Sequence, residues 1–336
     1  MNRFFHSAAR LAAVVILAFN LTANLTARDW VKQKSGTLSW LYSVYFLDAQ
    51  TGWAVGSQGA LLQTTDGGNN WKAMRSPTLD AIRDVRFFDR ETGWLVCTRE
   101  ADGTQGVGSY LFFTANGGRE WIKIKLPGGG TDRVTRMVFA GRERGWLLGE
   151  AGALYETDNG GENWFRHTVP TRQLLLGGAL LNANTGWLAS AGGLLLLTTD
   201  GGSTWREGQF FAKSPRVRWN AVSFPEARRG WLVGAGGQIS TTANGGRSWR
   251  AQTSGITEDL LDVKFPTLYD GWAVGEKGAM VSTKDGGFNW QSENTNTSHR
   301  LERVFFTDPA HGWVVGFGGT ILAYGSGNEM VEARLK

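Results

Sequence analysis

A short apolar column recurs at a fixed distance before each of several Gly-Trp pairs. In the first repeat it consists of Leu41, Val44 and Phe46, which lie twelve, nine and seven residues before Trp53. Spaced apolar positions over so short a stretch predict a half-buried strand. The Gly-Trp segment itself, the GALLQT-like segment after it and the segment after a second tryptophan predict three more strands in each repeat.

The Gly-Trp pair occurs seven times, and successive tryptophans are separated by 41, 52, 41, 44, 41 and 41 residues. Four short strands in a repeat of this length are typical of a propeller blade. The pattern therefore predicts an all-β, seven-bladed β-propeller with four-stranded blades. The seven tryptophans are Trp53, Trp94, Trp146, Trp187, Trp231, Trp272 and Trp313.

The two ends of the chain together predict one complete blade. The seventh repeat has a strand at 320–324 but no second tryptophan after it. Trp30 precedes Trp53 by 23 residues, the same interval that separates Trp71 from Trp94. We therefore predict that the N-terminal strand completes the last blade, which closes the ring and leaves no open sheet edge.

Six repeats carry the motif T-x-[D/N]-G-G-x-x-W between their third and fourth strands. The Asp or Asn can accept hydrogen bonds from nearby backbone amides, the glycines supply positive φ, and the Trp packs between sheets. Calcium binding is the alternative, but three positions hold Asn, so we predict a structural turn and no metal. The six Asp-box positions are Asp66, Asn116, Asn159, Asp200, Asn244 and Asp285.

The N-terminal 27 residues differ from the rest of the chain. Two arginines precede the apolar run 11–19, and small residues follow, a pattern that predicts a signal peptide cleaved near Ala23 or Ala27. A retained membrane anchor is the alternative, although the run is far shorter than the roughly 20 residues that cross a bilayer. The predicted domains are a leader at 1–27, the propeller at 28–326 and a C-terminal tail at 327–336.

Composition and charge narrow the class of protein. The 47 glycines and 16 tryptophans suit many tight turns around aromatic anchors. Removal of residues 1–27 lowers the net charge from +5 to +3, too little to indicate a nucleic-acid partner. The single cysteine, Cys97, is expected to be a buried apolar residue, and the four histidines show neither metal-ligand spacing nor a partnered nucleophile. We expect no cofactor.

Insertions accumulate on one face of the predicted propeller. Blade two has nine extra residues around 99–109, and the crossings 121–146 and 205–231 are two and three residues longer than the usual 23. The loops between second and third strands and the crossings between blades share one face, whereas the Asp-box turns lie on the other. The first face is therefore the one elaborated for function.

Arginines recur at equivalent positions on that face. Arg133, Arg218 and Arg300 lie thirteen residues before the Gly-Trp tryptophan, and Arg136 and Arg303 lie ten before it. Equivalent positions surround one axis, so these arginines should converge near the channel mouth, where they can bind carboxylates, phosphates or an acidic peptide. The alternative is solvated charge that pairs with nearby carboxylates. Those carboxylates are Asp132, Glu258, Asp259 and Glu302, and the candidate partner-binding residues are Arg133, Arg136, Arg216, Arg218, Arg300 and Arg303.

The Asp-box motif resembles the BNR repeats of sialidases and sortilin-like receptors, and it indicates fold better than function. A sialidase-like glycosidase needs a Tyr–Glu nucleophile pair, an acid and an arginine cluster, usually on long loops. The repeats here are nearly minimal, and no tyrosine–glutamate arrangement stands out. We therefore expect a non-catalytic protein, with an Asp-box glycosidase or a carbohydrate-binding propeller as the alternative and a secreted adhesion protein as a third class.

The repeat resembles that of the photosystem II stability/assembly factor family. VYFLDAQTGWAVGSQGALLQTTDGGNNW (44–71) matches the family pattern V-x-F-x-D…GWxVG…G-x-[IL]-x-x-T-x-DGG-x-x-W, and the resemblance extends over about residues 29–324. It implies an exported seven-bladed propeller that binds a newly made photosystem II reaction-centre protein through an arginine patch. In blade five, SPRVRWNAVSF corresponds loosely to the family's R-x-x-N-like segment through Arg216, Arg218 and Asn220.

The expected function is thus that of a protein-binding scaffold. Its partner would be a membrane-protein precursor or a photosystem II reaction-centre subunit, bound by a monomer that is not inserted in the membrane. The expected location is the periplasm, or the thylakoid lumen in a photosynthetic source.

Overall fold

The structure is a computed structural model that describes residues 28–99, 107–128, 131–210 and 217–326. The predicted leader, the predicted C-terminal tail and Arg216 lie outside these residues. Among the described residues there is no helix long and apolar enough to cross a membrane.

Seven separate β-sheets form the described part of the chain, and in five of them four consecutive strands form a meander. The first strand is β1 (Arg28–Gln33). Blade one consists of β2 (Leu41–Phe46), β3 (Gly52–Gly56), β4 (Leu61–Thr64) and β5 (Lys72–Ala73), and blade two of β6 (Ala81–Phe87), β7 (Gly93–Arg99), β8 (Gly108–Thr114) and β9 (Ile122–Lys125). Blade three consists of β10 (Val134–Ala140), β11 (Arg144–Gly149), β12 (Leu154–Thr157) and β13 (Phe165–His167).

The remaining strands form blades four to seven. They are β14 (Leu175–Leu180), β15 (Gly186–Ser190), β16 (Leu195–Thr198) and β17 (Arg206–Glu207); β18 (Gln209–Phe210), β19 (Trp219–Ser223), β20 (Gly230–Gly234), β21 (Ile239–Thr242) and β22 (Ser248–Gln252); β23 (Leu260–Lys264), β24 (Gly271–Gly275), β25 (Met280–Thr283) and β26 (Gln291–Ser292); β27 (Leu301–Asp308), β28 (His311–Gly316) and β29 (Ile321–Ser326). Single 3₁₀ turns span Ser57–Gly59, Glu150–Gly152, Ala235–Gly237, Glu276–Gly278 and Phe317–Gly319.

The predicted seven four-stranded blades are confirmed, with one addition. The crossing into blade five contributes the short strand β18, which pairs in parallel with β22. This crossing is one of the two that the sequence shows to be longer than usual, and β18 lies at the outer edge of the blade-five sheet. Blade five therefore has five strands.

The predicted closure of the ring is also confirmed. Strand β1 pairs antiparallel with β29, and Trp30 lies directly opposite Tyr324. The sheet order β1-β29-β28-β27 places the first strand at the outer edge of the last blade. Residues from opposite ends of the propeller thus share one sheet, so the ring cannot open without breaking backbone hydrogen bonds.

Aromatic stacking between blades explains the Gly-Trp pair. Phe46 of blade one stacks on Trp313 of blade seven at 3.4 Å between ring centroids, and Phe87 of blade two stacks on Trp53 of blade one at 3.8 Å. A Cβ at Gly52 would lie 2.5 Å from the Phe46 ring, so only glycine fits before the tryptophan. Such stacking adds about 0.5–1.5 kcal/mol per pair beyond the burial of apolar area.

The predicted apolar column is buried between blades. Leu41, Val44 and Phe46 are each at most 2% exposed, and their equivalents fill the spaces between neighbouring sheets. Cys97 is fully buried in β7, and burial raises the pKa of its thiol. The packing therefore leaves the central channel and the two faces as the surfaces available for binding.

Candidate functional site

Every innermost strand carries a β-bulge at the same place. In blade three the pairing shifts between Val134 and Arg136, and the other six innermost strands shift at the equivalent pair. A bulge inserts one extra residue and redirects the side chains beside it. As a result, the residues eleven and ten before the Gly-Trp tryptophan both face the channel, as Glu302 and Arg303 do in blade seven.

The residues at position ten form a layer of opposite charges across the channel, which we call the charged layer. Its members are Asp84, Arg136, Asp262 and Arg303. Nη1 of Arg136 lies 3.2 Å from Oδ1 of Asp262, and Nη2 of Arg303 lies 3.8 Å from Oδ2 of Asp84. The two aspartates also accept backbone hydrogen bonds, Asp84 from Met137 at 2.8 Å and Asp262 from Val304 at 3.0 Å.

The charged layer is buried, and its arginines are committed to it. Desolvation lowers the pKa of Arg136 and the charge of Arg303 lowers it further, whereas Asp262 and Asp84 raise it. The side chains of Arg136 and Arg303 are each 16% exposed. As expected, Arg136 and Arg303 line the cavity at the channel mouth, but each is paired with a carboxylate from another blade.

Above the charged layer the channel widens into a cavity of about 470 Å³, which we call the front mouth. It lies on the face of the second-to-third-strand loops and the blade crossings, where the sequence shows its insertions. The residues that give it its chemistry are Trp40, Tyr42, Glu150, Arg218, Arg300 and Glu302.

Arg300 is held in a network on one side of the front mouth. Its Nη1 lies 2.7 Å from Oε1 of Glu276, and its Nε lies 2.7 Å from Oε1 of Glu302. Trp40 donates its indole hydrogen to the same Glu302 oxygen at 2.8 Å, and the guanidinium lies 5.5 Å from the Trp40 ring centroid. Arg300 is thus positioned at the mouth with its charge largely balanced.

Arg218 differs from the other predicted arginines. It is exposed at the front mouth and forms no hydrogen bond or ion pair with any residue that the structure describes. Arg133, at the equivalent position of blade three, lies 3.5 Å from Glu150. The structure therefore separates the five described arginines into two that are buried in the charged layer, two that are paired at the rim and one, Arg218, that has no partner among the described residues.

The carboxylates that neutralise these arginines differ in part from those expected. Glu302 pairs with Arg300 as anticipated, but Asp132 binds Arg166 at 2.8 Å and Asp259 accepts a backbone hydrogen bond from Gly236 at 2.8 Å. Glu258 lies 4.0 Å from Lys277. Of the four carboxylates named in that alternative, Glu302 is therefore the only one that pairs with a predicted arginine among the described residues.

Sequence reasoning missed the carboxylates of the second-to-third-strand loops. Glu150 and Glu276 pair with Arg133 and Arg300. Both lie four residues after a Gly-Trp tryptophan, so a comparison of that position across the repeats was the available signal.

Asn220, matched loosely to the R-x-x-N-like segment, also lines the front mouth. Its Nδ2 donates to the Leu260 carbonyl of the next blade at 2.7 Å, and its Oδ1 is buried without a hydrogen-bond partner among the described residues. The side chain thus ties blades five and six together and leaves one acceptor at the site.

The Asp-box positions form local turns on the opposite face. Oδ1 of Asp66 accepts hydrogen bonds from the Thr64 hydroxyl at 2.8 Å and from the Asn70 amide at 2.9 Å. Gly67 and Gly68 have φ of 70° and 92°, conformations that disfavour other residues. The same bonds recur at Asp200 and Asp285. Among the described residues no group of three His, Cys, Asp or Glu side chains is arranged to hold a metal ion.

The sequence model of one protein family, described as photosynthesis system II assembly factor YCF48, matches residues 22–165, 119–216, 163–254 and 247–327 of this chain. Together these stretches span the whole predicted propeller, residues 28–326. No curated protein matches the sequence.

Solved structures share the fold at low sequence identity. A YCF48 bound to D1 peptide superposes with a TM-score of 0.74 and 21% identity, over 90% of this chain and 98% of the other. YCF48 from Cyanidioschyzon merolae superposes with a TM-score of 0.72 and 22% identity, over 88% and 99% of the two chains. An ancestral GH74 enzyme reaches 0.65 at 13% identity, over 87% of this chain and 45% of that one. At these identities the likeness shows the fold alone.

Proposed function

Because this chain belongs to the photosynthesis system II assembly factor YCF48 family, we propose that it is an exported, non-catalytic scaffold that captures a protein segment at its front mouth. The segment is extended and carries a carboxylate that binds Arg218. By analogy with the relative whose structure holds a D1 peptide, the partner is a reaction-centre polypeptide of the D1 type.

The observation that carries the proposal is the free guanidinium of Arg218. A guanidinium binds a carboxylate through two parallel hydrogen bonds, and it does so best where no internal acid competes. Arg218 meets this condition among the described residues, and it lies in a cavity that also offers the Trp40 and Tyr42 rings. Aromatic rings in the same cavity provide apolar contact for the side chains of a bound segment.

The front mouth offers less support for the glycosidase alternative. A glycosidase needs two carboxyl groups, one of which donates a proton while the other acts as base or nucleophile. Glu150 and Glu302 both line the cavity, but each is paired with an arginine. Each of these carboxylates is thus already bound by an arginine of the protein itself.

The test measures the affinity of a fluorescent D1 peptide for the chain and for Arg218→Ala. We expect the substitution to weaken binding by about tenfold or more, as loss of a central arginine anchor does at protein interfaces. Arg218→Lys should recover part of the affinity, because lysine keeps the charge but not the two parallel hydrogen bonds.

The matched control is Arg247→Ala. Arg247 is an exposed arginine in the Asp-box turn of blade five, on the opposite face. This variant should bind the peptide as the unmodified chain does. Equal affinities of the Arg218→Ala and unmodified chains would contradict the proposal, provided that both melt at the same temperature.

Export rests on the N-terminal sequence and has its own test. We expect the protein in the soluble envelope fraction, without residues preceding Ala23 or Ala27. Cell fractionation with N-terminal sequencing measures both, and recovery of the intact N-terminus in the membrane fraction would instead favour a retained anchor.

A further inference from the structure

Below the charged layer the channel opens into a second cavity, on the face that carries the Asp-box turns. This cavity, which we call the rear chamber, has a volume of about 250 Å³. It shares Arg136 and Arg303 with the front mouth, so the charged layer lies between the two cavities. The residues that give the rear chamber its chemistry are Tyr45, Arg86, Ser223, Lys264 and Phe305.

The rear chamber has an excess of positive charge. Its lining includes the cations Arg86, Arg136, Lys264 and Arg303 but only the carboxylates Asp84 and Asp262. Both carboxylates are already paired with the arginines of the charged layer, and both accept a backbone hydrogen bond, Asp84 from Met137 and Asp262 from Val304. In the part of the chain that the structure describes, the positive charges of Arg86 and Lys264 are therefore left without a carboxylate partner.

Arg86 and Lys264 occupy the same level of the channel, eight residues before the Gly-Trp tryptophans of blades two and six. Neither forms a hydrogen bond or an ion pair with any described residue. The guanidinium of Arg86 lies 4.8 Å from the Tyr45 ring centroid, and its buried Nε has no acceptor among the described residues. The Nε–H of Arg86 is therefore a buried donor that remains available for a hydrogen bond.

The other side chains at this level are neutral. They belong to Tyr45, Val138, Ala179, Ser223 and Phe305. The Ser223 hydroxyl oxygen accepts the Phe265 amide at 3.2 Å, which leaves its own hydrogen to donate. Desolvation lowers the pKa of Lys264, and the nearby charge of Arg86 lowers it further while Asp262 raises it. An anion between the two cations would relieve this repulsion.

We infer that the rear chamber binds a small tetrahedral oxyanion of the phosphate or sulfate class between Arg86 and Lys264. The rear chamber, at about 250 Å³, can hold such an ion with part of its hydration shell, since one water occupies about 30 Å³ in the liquid. The narrow channel walls concentrate the field of the cations at the chamber. The Arg86 Nε–H, the Lys264 ammonium and the Ser223 hydroxyl supply the donors.

The test is calorimetric titration of the full chain with inorganic phosphate at constant ionic strength. We expect saturable binding of one phosphate, weakened at least tenfold by Arg86→Gln and by Lys264→Gln. Arg247→Gln is the matched control, because Arg247 is an exposed arginine on the same face but outside the chamber. It should leave phosphate binding unchanged, as should Arg218→Gln at the front mouth.

Thermal melting separates binding from folding. Phosphate should raise the Tm of the unmodified chain with increasing concentration, as any ligand of the native state does. In the absence of phosphate, Lys264→Gln should not lower the Tm, because it removes an unpaired and desolvated charge. A phosphate-dependent rise in Tm that is equal in Lys264→Gln and the unmodified chain would overturn the inference, and so would the absence of saturable binding.

A second titration, with glycerol phosphate, identifies the source of the anion. If the chamber takes a free ion, inorganic phosphate binds more tightly than the ester; the reverse order assigns the chamber to a phosphate group carried by a larger molecule. If Arg218→Ala loses D1 peptide binding but keeps phosphate binding, the front mouth and the rear chamber bind their ligands independently.

Discussion

Aspartates stabilise this propeller in two regions, by opposite means. In the charged layer, Asp262 is buried and its partners, Arg136 and Val304, are 126 and 42 residues away in the sequence. In the Asp-box turns, Asp66 is partly exposed and the partners of its carboxylate lie within four residues. The same side chain thus joins distant blades in one region and shapes a single turn in the other.

The two regions differ in how much the fold depends on the charge of the aspartate. A buried carboxylate is costly unless it is paired, and its removal leaves its cationic partners unpaired in turn. A turn carboxylate that water can reach is replaced by water when it is lost. The contribution of each aspartate to stability therefore depends on its burial and on how far away its partners lie in the sequence, rather than on residue type.

The largest effect is expected for Asp262→Ala. The substitution leaves Arg136 and Arg303 facing each other in the channel and removes the acceptor for the Val304 amide. Breaking a buried ion pair from one side typically costs about 3–5 kcal/mol. The free energy of unfolding, measured by urea denaturation, should fall by about this amount.

The variant Asp262→Ala, Arg136→Met sharpens this prediction. It removes one of the two opposed arginines along with the carboxylate, so it should be more stable than Asp262→Ala alone. If Asp262→Ala lowered the free energy of unfolding by less than about 1 kcal/mol, the charged layer would stabilise the fold no more than an exposed ion pair does. That result would contradict the contrast between the two regions.

These two regions also differ in how far the sequence predicts them. The Asp-box positions follow from a motif of eight residues, because every partner of the carboxylate lies inside that motif. The closure by Trp30 follows from a repeat interval. The charged layer does not follow, although Arg136 and Arg303 were singled out by their shared position. Their partners Asp84 and Asp262 occupy the same position in other blades, but only the folded ring shows that these four side chains meet.

The front mouth illustrates the same limit. Shared position placed Arg218 and Arg300 on one face, as the structure also does. Whether each arginine is free depends on loop carboxylates such as Glu276, whose side chain reaches Arg300 from the preceding blade. The path of those loops decides the pairing, and a repeat pattern gives the length of a loop but not its path.

A smaller effect is expected for Asp66→Ala. The substitution removes the acceptor for the Thr64 hydroxyl and for the Asn70 amide and side chain. Because water can reach these groups, the net loss of stability should be about 1 kcal/mol. Urea denaturation of Asp66→Ala beside Asp262→Ala compares one chemical change in two surroundings. A loss as large as that of Asp262→Ala would show that the turn, too, holds the ring together.

The smallest effect concerns acid stability and the Asp-box turns alone. Hydrogen bonds from Thr204 lower the pKa of Asp200 to about 2, and hydrogen bonds from Asn289 lower that of Asp285 to about 2. Since these folded-state values lie below the ordinary value of 3.8, the carboxylates stabilise the fold above about pH 4. This contribution is lost as the pH falls towards 2, where both groups become protonated in the folded state as well.

Asn at the same motif position does not titrate, and Asn244 shows that the turn can form with it. Oδ1 of Asn244 accepts a hydrogen bond from the Ser248 amide at 3.0 Å, and its Nδ2 donates one to the Ser248 hydroxyl at 2.7 Å. The variant Asp200→Asn, Asp285→Asn should therefore melt near the normal temperature at pH 7 and lose less of its Tm between pH 4 and pH 2 than the unmodified chain. The reciprocal variant Asn244→Asp should lose more, because its new carboxylate gains the bonds that Asp200 has. Parallel Tm curves for all three proteins would contradict the prediction that the Asp-box carboxylates contribute to acid sensitivity.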